Sequence, residues 1–155
     1  MDPAPGRLAS NTPTPTWIGV DIGAGLIRSA LIAFEQGRVV ILDSDEWPTM
    51  GSTPHHLLAR IAQLAYEYSE RSRGVAGLGI AFPGAVDAGV TGASAELANQ
   101  WQGLRVRDML TGLTALPAVV VSRSDAVVAA PAGLGPAGAA VGAALLAKRS
   151  GIGLE

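Results

Sequence analysis

Residues 16–34, TWIGVDIGAGLIRSALIAF, restrict the fold more than any other stretch of the chain. Ile18 and Val20 lead into a glycine-rich turn at Gly23-Ala24-Gly25, and a second β-rich run covers Ile27 to Phe34. Two such runs joined by a tight glycine turn predict a β-hairpin, since glycine takes turn conformations that other residues resist. Gln36-Gly37 makes the next turn, into RVVILDS, so a three-stranded antiparallel meander opens the domain.

Helical spacing follows. Thr53 can cap a helix whose first position is Pro54, where the missing N–H costs nothing. Leu57, Leu58, Ile61, Leu64, Ala65 and Tyr68 then recur on one face, with Gly74 past the end. VAGLGIAF suits a buried strand ended by Pro83-Gly84. Val106, Met109, Leu110 and Leu113 mark a second helix stopped by Pro117, and AVVV a short buried strand after it. From about residue 136 to 148, PAGAAVGAALLAK makes a small-residue helix, with Gly138 and Gly142 one above the other as in close helix packing. The order β-β-β-α-β-α-β-α describes one α/β domain over residues 16–150. Residues 1–15 read as a flexible Pro/Ser/Thr tail without the apolar core of a signal peptide.

Composition excludes several classes of function. Hydrophobic residues make up 48% and charged residues 15% of 155, a globular balance rather than a disordered one. A net charge of -2 with no basic patch gives no electrostatic footprint for nucleic acid. The chain has no cysteine, which excludes disulfides, thiolate catalysis and Cys-type zinc sites and agrees with a cytoplasmic location. Ala126 to Ala147 carries no charge and is long enough to span a bilayer, but Pro131 and Pro136 divide it into a loop and a short buried helix, so no membrane span is expected. His55 and His56 face about 100° apart on a helix and cannot chelate one metal. Asp43, Asp45 and Glu46 read as a solvated loop after the third strand, and no metal site is expected.

The opening hairpin also carries a resemblance. IGVDIGAGLIRSAL resembles the first phosphate-binding motif of the ROK family of repressors and sugar kinases, roughly D-I-G-G-T-K, in which Asp21, Ile22 and Gly23 match while Ala24, Gly25 and Leu26 depart. Gly77 to Asp87 resembles the family's G-I-G-I-A-x-P-G-x-V-D. ASAELANQWQGLRVRDML resembles S-P-N-L-x-x-W-x-G-x-P-L-R-x-L, with Trp101 and Gly103 in register, and LPAVVVSRSDAVVAA stands where the family has L-P-V-x-V-E-N-D-A-N-A-A-A. LGPAGAAVGAALLAK is similar to the family's closing helix. The resemblance implies a ribonuclease-H-like, actin-like ATPase lobe: a mixed five-stranded sheet in the order 3-2-1-4-5, flanked by helices. It also implies that the large lobe, roughly half of a ROK chain, is missing from between the last two motifs. With it would go the second phosphate motif, the Glu and His sugar ligands and the Cys/His zinc motif.

Further site residues come from the same resemblance. Asp21, Gly23, Ala24 and Gly25 would face ATP and Mg2+ if the chain were a kinase, the glycines letting backbone N–H groups approach phosphate. Asp125 would be the acid of N-D-A-N, on an alignment that admits an insertion ahead of it, and would act as general base on a sugar hydroxyl. Pro83, Gly84, Glu96 and Asn99 would contact the sugar. With half of the cleft absent, the expectation is a non-catalytic lobe that self-associates or binds a protein partner through the face left open, around Phe82, Pro83, Trp101 and residues 127–134. Two alternatives stand beside it: an ATP-dependent hexose kinase whose second lobe comes from another chain, and a sugar-responsive transcriptional regulator lacking its DNA-binding part.

Overall fold

A computed structural model describes residues 14–49, 53–72 and 74–150; the tail expected at 1–15 lies outside these apart from Thr14 and Pro15. Among these residues seven strands form, β1 (Thr16–Ile22), β2 (Leu26–Glu35), β3 (Arg38–Pro48), β4 (Val75–Phe82), β5 (Val86–Asp87), β6 (Val90–Thr91) and β7 (Ala118–Ser122). The helices are α1 (Pro54–Arg71), α2 (Val106–Thr114), α3 (Arg123–Ala129) and α4 (Gly138–Arg149). Five strands make a mixed sheet in the order β3-β2-β1-β4-β7, with β2 antiparallel to both neighbours and β1, β4 and β7 parallel. This is the expected actin-like order, its fifth member being the strand after the second predicted helix.

Alternation along β1 builds two cores at once. Ile18, Val20 and Ile22 face α1 and α2, together with Ile27, Leu31, Leu78, Ile80 and Phe82. Trp17 faces the other side, where Ala30 and Ile32 meet Ala140, Val141, Ala144 and Leu145 of α4. A strand buried on both faces and paired on both edges needs apolar residues at nearly every position, and every residue of β1 is buried. α1 presents Leu57, Leu58, Ile61, Leu64, Ala65 and Tyr68 to this core, and Thr53 Oγ1 accepts the His56 N–H as the predicted cap. His55 and His56 are both exposed.

Close approach of α4 to the sheet depends on missing side chains. Gly19 and Gly79 lie opposite each other in the β1–β4 register. A Cβ on Gly19 would sit 1.8 Å from the Ala140 carbonyl oxygen, and one on Gly79 would sit 2.0 Å from that of Ala143. On the flank of α4, a Cβ on Gly142 would sit 1.7 Å from the Ala126 carbonyl oxygen of α3. The tight packing expected at both Gly138 and Gly142 is found at Gly142 alone, since Gly138 faces open space. Among the described residues no helix is long and apolar enough to cross a membrane.

The structure departs from the sequence reading in four places. β3 runs on to Pro48, so Asp43, Asp45 and Glu46 belong to an edge strand and not to a loop. An edge strand has solvent on its free side and tolerates charge there. Asp43 pairs with Arg71 at 2.9 Å, and Glu46 pairs at 3.0 Å with Arg28, its partner in register. The β5–β6 hairpin, turned by Ala88 and Gly89 at φ 51° and 82°, is too short to show any periodicity. α3 was not foreseen either, because a seven-residue helix rich in β-branched valine carries little propensity. Finally, Phe82 and Trp101 are buried against each other, their ring centroids 5.5 Å apart, and do not belong to an open face. Val127 and Val128 are exposed, as that reading expected.

Tyr68 gives the α1 core a pH limit. Its hydroxyl shares a 2.9 Å hydrogen bond with buried Ser29. Burial, with the charges of Asp43 and Asp45, raises its pKa above the ordinary value, against the opposing effects of the Ser29 bond and Arg71. The folded chain therefore holds this proton more tightly than the unfolded chain does. That contribution to stability is complete below the unfolded pKa near 10 and is lost as pH rises through the folded value. Stability measured by urea melts should fall above about pH 10, and Tyr68→Phe should flatten that limb while costing about 1 kcal/mol at neutral pH.

Candidate functional site

Because β1, β4 and β7 run parallel, their C-terminal ends at Ile22, Phe82 and Ser122 open on the same edge of the sheet, where open α/β sheets bind ligands. β1 passes into the Gly23-Ala24-Gly25 turn and β4 into Pro83-Gly84. β7 passes directly into α3 with no loop between them, so Arg123 is the first helical residue.

Arg123 organises this edge. Its Nε donates to Asp21 Oδ1 at 3.0 Å, Nη1 to Glu96 Oε2 at 2.6 Å and Nη2 to the Ile22 carbonyl at 2.6 Å. Asp21 is only 7% exposed, and a carboxylate that deep requires a partner. Burial works against the charge on Arg123, but the hydrogen bond to Glu96 and the adjacent carboxylates outweigh it and raise its pKa above the ordinary value. The guanidinium stays charged, and it cannot accept a proton.

Two loops are held in place around it. Ser94 Oγ donates to the Pro83 carbonyl at 2.6 Å and accepts the N–H groups of Glu96 and Leu97, which ties the loop bearing Glu96 to the end of β4. Thr49 Oγ1 donates to the Gly23 and Ala24 carbonyls, and the Thr49 N–H donates to that of Gly25. In a trans peptide the N–H points opposite to its carbonyl, so the N–H groups of Ala24, Gly25 and Leu26 point away from Thr49. A Cβ on Gly23 would lie 2.8 Å from the Leu26 carbonyl oxygen, whereas Gly25 has no neighbour within 4 Å. Glycine at 23 is thus a requirement of the turn itself.

Asp21, Gly23, Ala24, Gly25 and Glu96 line one cavity of about 460 Å³ with Arg123 and Arg28. Pro83, Gly84 and Glu96 line an adjoining one of about 670 Å³. Glu96, Arg123 and Val127 border both, so the Glu96–Arg123 ion pair lies between them. Asp125 lines a third cavity beside β7, away from Asp21, and its N–H donates to Ser122 Oγ as part of the α3 cap. Asn99 is exposed in a 3-10 turn and borders neither of the first two cavities.

β7 pairs with β4 without a break from Ala118 to Ser122 and leads straight into α3. Counted without a gap from Leu116-Pro117, the motif L-P-V-x-V-E-N-D-A-N sets its acid against Arg123 and its second asparagine against Asp125. Arg123, Thr49 and Ser94 are the site residues that pattern reading passed over. Counting the motif without a gap would have found Arg123, and matching Ser94 and Leu97 to the first and last residues of S-P-N-L would have found Ser94. Nothing local points to Thr49, which lies 26 positions from Gly23.

The actin-like fold implies Mg2+ beside the acid at the end of β1, and the residues here do not fit it. The Asp21 and Glu96 carboxylates both face Arg123, and among the described residues no group of three or more His, Asp or Glu could hold a metal ion.

The fold is shared with solved sugar kinases. An inorganic polyphosphate/ATP-glucomannokinase from Arthrobacter sp. strain KM superimposes with TM-score 0.64 at 27% identity, over 83% of this chain and 50% of its own. A ROK family glucokinase from Streptomyces griseus, solved with glucose and AMPPNP, gives 0.62 at 26% identity over 74% and 35%. A ROK family transcriptional regulator, a homologue of the E. coli MLC protein, shares the fold with TM-score 0.60 at 17% identity, over 73% and 29%. The chain spans half or less of the length of these three proteins. No curated protein matches it. The family model for ROK matches residues 17–132, three quarters of the sequence, and the chain belongs to the ROK family.

Proposed function

We propose that this chain is a non-catalytic ROK lobe that acts by association. The observation that carries this reading is Arg123 bound to Asp21 and Glu96 at the open edge of the sheet, where a gap-free count of the motif sets its acid. A guanidinium cannot take a proton from a sugar hydroxyl, and this one also neutralises the acid at the end of β1. Two further features support it. The closing helix is joined to α3 by the short segment 130–137, where a second lobe would otherwise enter. A one-sided cleft also cannot exclude water or clamp a transferred phosphoryl group, and that positioning supplies most of the catalysis in such reactions.

The isolated chain should give no ATP-dependent phosphorylation of glucose, N-acetylglucosamine, mannose or allose above a buffer blank. Turnover that disappears in Asp125→Asn would overturn the proposal in favour of the kinase reading. For association, the exposed pair Val127 and Val128 is the candidate contact. Light scattering should find a species larger than a monomer, which Val128→Asp reduces to a monomer. A wild-type chain that stays monomeric at high concentration and captures no partner would remove the association half of the reading.

A further inference from the structure

We infer that Arg123 is a built-in cation filling a three-oxygen site that would otherwise gather a divalent metal ion. Three oxygens from two segments converge on one positive charge. Asp21 Oδ1 and the Ile22 carbonyl oxygen come from the end of β1, and Glu96 Oε2 comes from the loop after β6. They lie 3.0, 2.6 and 2.6 Å from three different nitrogens of the same guanidinium. Two carboxylates and a carbonyl around a single charge form the donor set that hard divalent cations take. A planar guanidinium can satisfy all three at once because its donors are fixed in a fork.

Among the described residues no second cation is placed to replace Arg123. Arg28 is the other positive residue of the same cavity, and it is engaged by Glu46 at 3.0 Å. Without Arg123 the buried Asp21 carboxylate and Glu96 would share the cavity with no cation bound to either of them. The electrostatics of this cleft are therefore set covalently. Divalent ions compete with an intramolecular partner, and a chelator leaves the cleft unchanged. This is independent of association: a strictly monomeric chain would leave the inference intact, and an associating chain would not establish it.

The test is a titration of the full chain with Mn2+, read by the electron paramagnetic resonance signal of the free ion. Wild type should show no saturable site. Arg123→Ala should show one, binding roughly tenfold or more tighter than any wild-type affinity, a typical coupling between competing ligands. Arg123→Ala/Asp21→Asn should lose it again, and Mn2+ should raise the melting temperature of Arg123→Ala but not of wild type. Wild type binding Mn2+ as tightly as the variant would overturn the inference, as would a folded Arg123→Ala without a site. If Arg123→Ala folds neither with Mn2+ nor without it, the neutral Arg123→Gln decides on the same two criteria.

Discussion

Gly79→Val is expected to destabilise the chain by about 3 kcal/mol or more, enough to leave little folded protein if native stability is at the low end of the usual 5–15 kcal/mol. The cause is steric. Gly79 has no unusual φ, but its first side-chain atom would fall 2.0 Å from the Ala143 carbonyl oxygen. A backbone oxygen in a helix cannot move aside alone, so the whole of α4 would have to lift from the sheet and open the contacts around Trp17 and Ile32. Gly19→Val should act in the same way through Ala140, and the double variant should show no cooperative urea transition by far-UV circular dichroism. Gly138→Ala serves as the contrast, because that glycine faces open space; helix propensity should make the change neutral or stabilising by up to about 0.5–1 kcal/mol. Equal losses at all three glycines would mean that the approach of α4 to the sheet is not what these residues protect.

Trp101→Ala is the second large effect, with an expected loss of about 3–5 kcal/mol. The indole is 2% exposed, stacks at a tilt on Phe82 and is held by a turn whose Trp101 carbonyl accepts a bond from buried Thr91 Oγ1. Truncation would leave a cavity between β4 and the 99–104 segment. The same substitution separates two roles for this tryptophan. A core residue lowers the melting temperature and leaves the oligomeric state alone, whereas an interface residue does the reverse. Light scattering beside thermal melts distinguishes them, and a stable Trp101→Ala that dissociates would restore Trp101 to an interface.

What could be read from the sequence depended on how local each signal was. The β1–β2 hairpin, the Gln36-Gly37 turn and α1 were legible because their periodicity and caps lie within a few residues. The sheet order followed from the family resemblance and not from periodicity. The β5–β6 hairpin and α3 escaped because a two-residue strand and a seven-residue valine-rich helix fall below what spacing can register. At the site, the glycine turn was legible since its chemistry is contiguous. The Asp21–Arg123 pair was not, because its members stand 102 positions apart and an arginine after a short strand looks like any surface cation. Glu96 was singled out as a sugar contact; that its carboxylate also accepts from Arg123 could not be read from the sequence.

The glycine contact between β1 and α4 has a consequence for the order of assembly. Gly19 touches Ala140 across 121 positions of chain, while the β1–β2–β3 meander closes over short turns. Contacts of such long sequence separation form slowly, because loop entropy is lost before they return any stabilisation. One face of the sheet must therefore wait, its backbone bare at Gly19 and Gly79, while the α1 face is already covered. During that interval the chain is a one-sided sandwich with a groove matched to an alanine-rich helix. Another molecule's α4 fits that groove as well as its own, so domain-swapped refolding products are expected to rise with protein concentration.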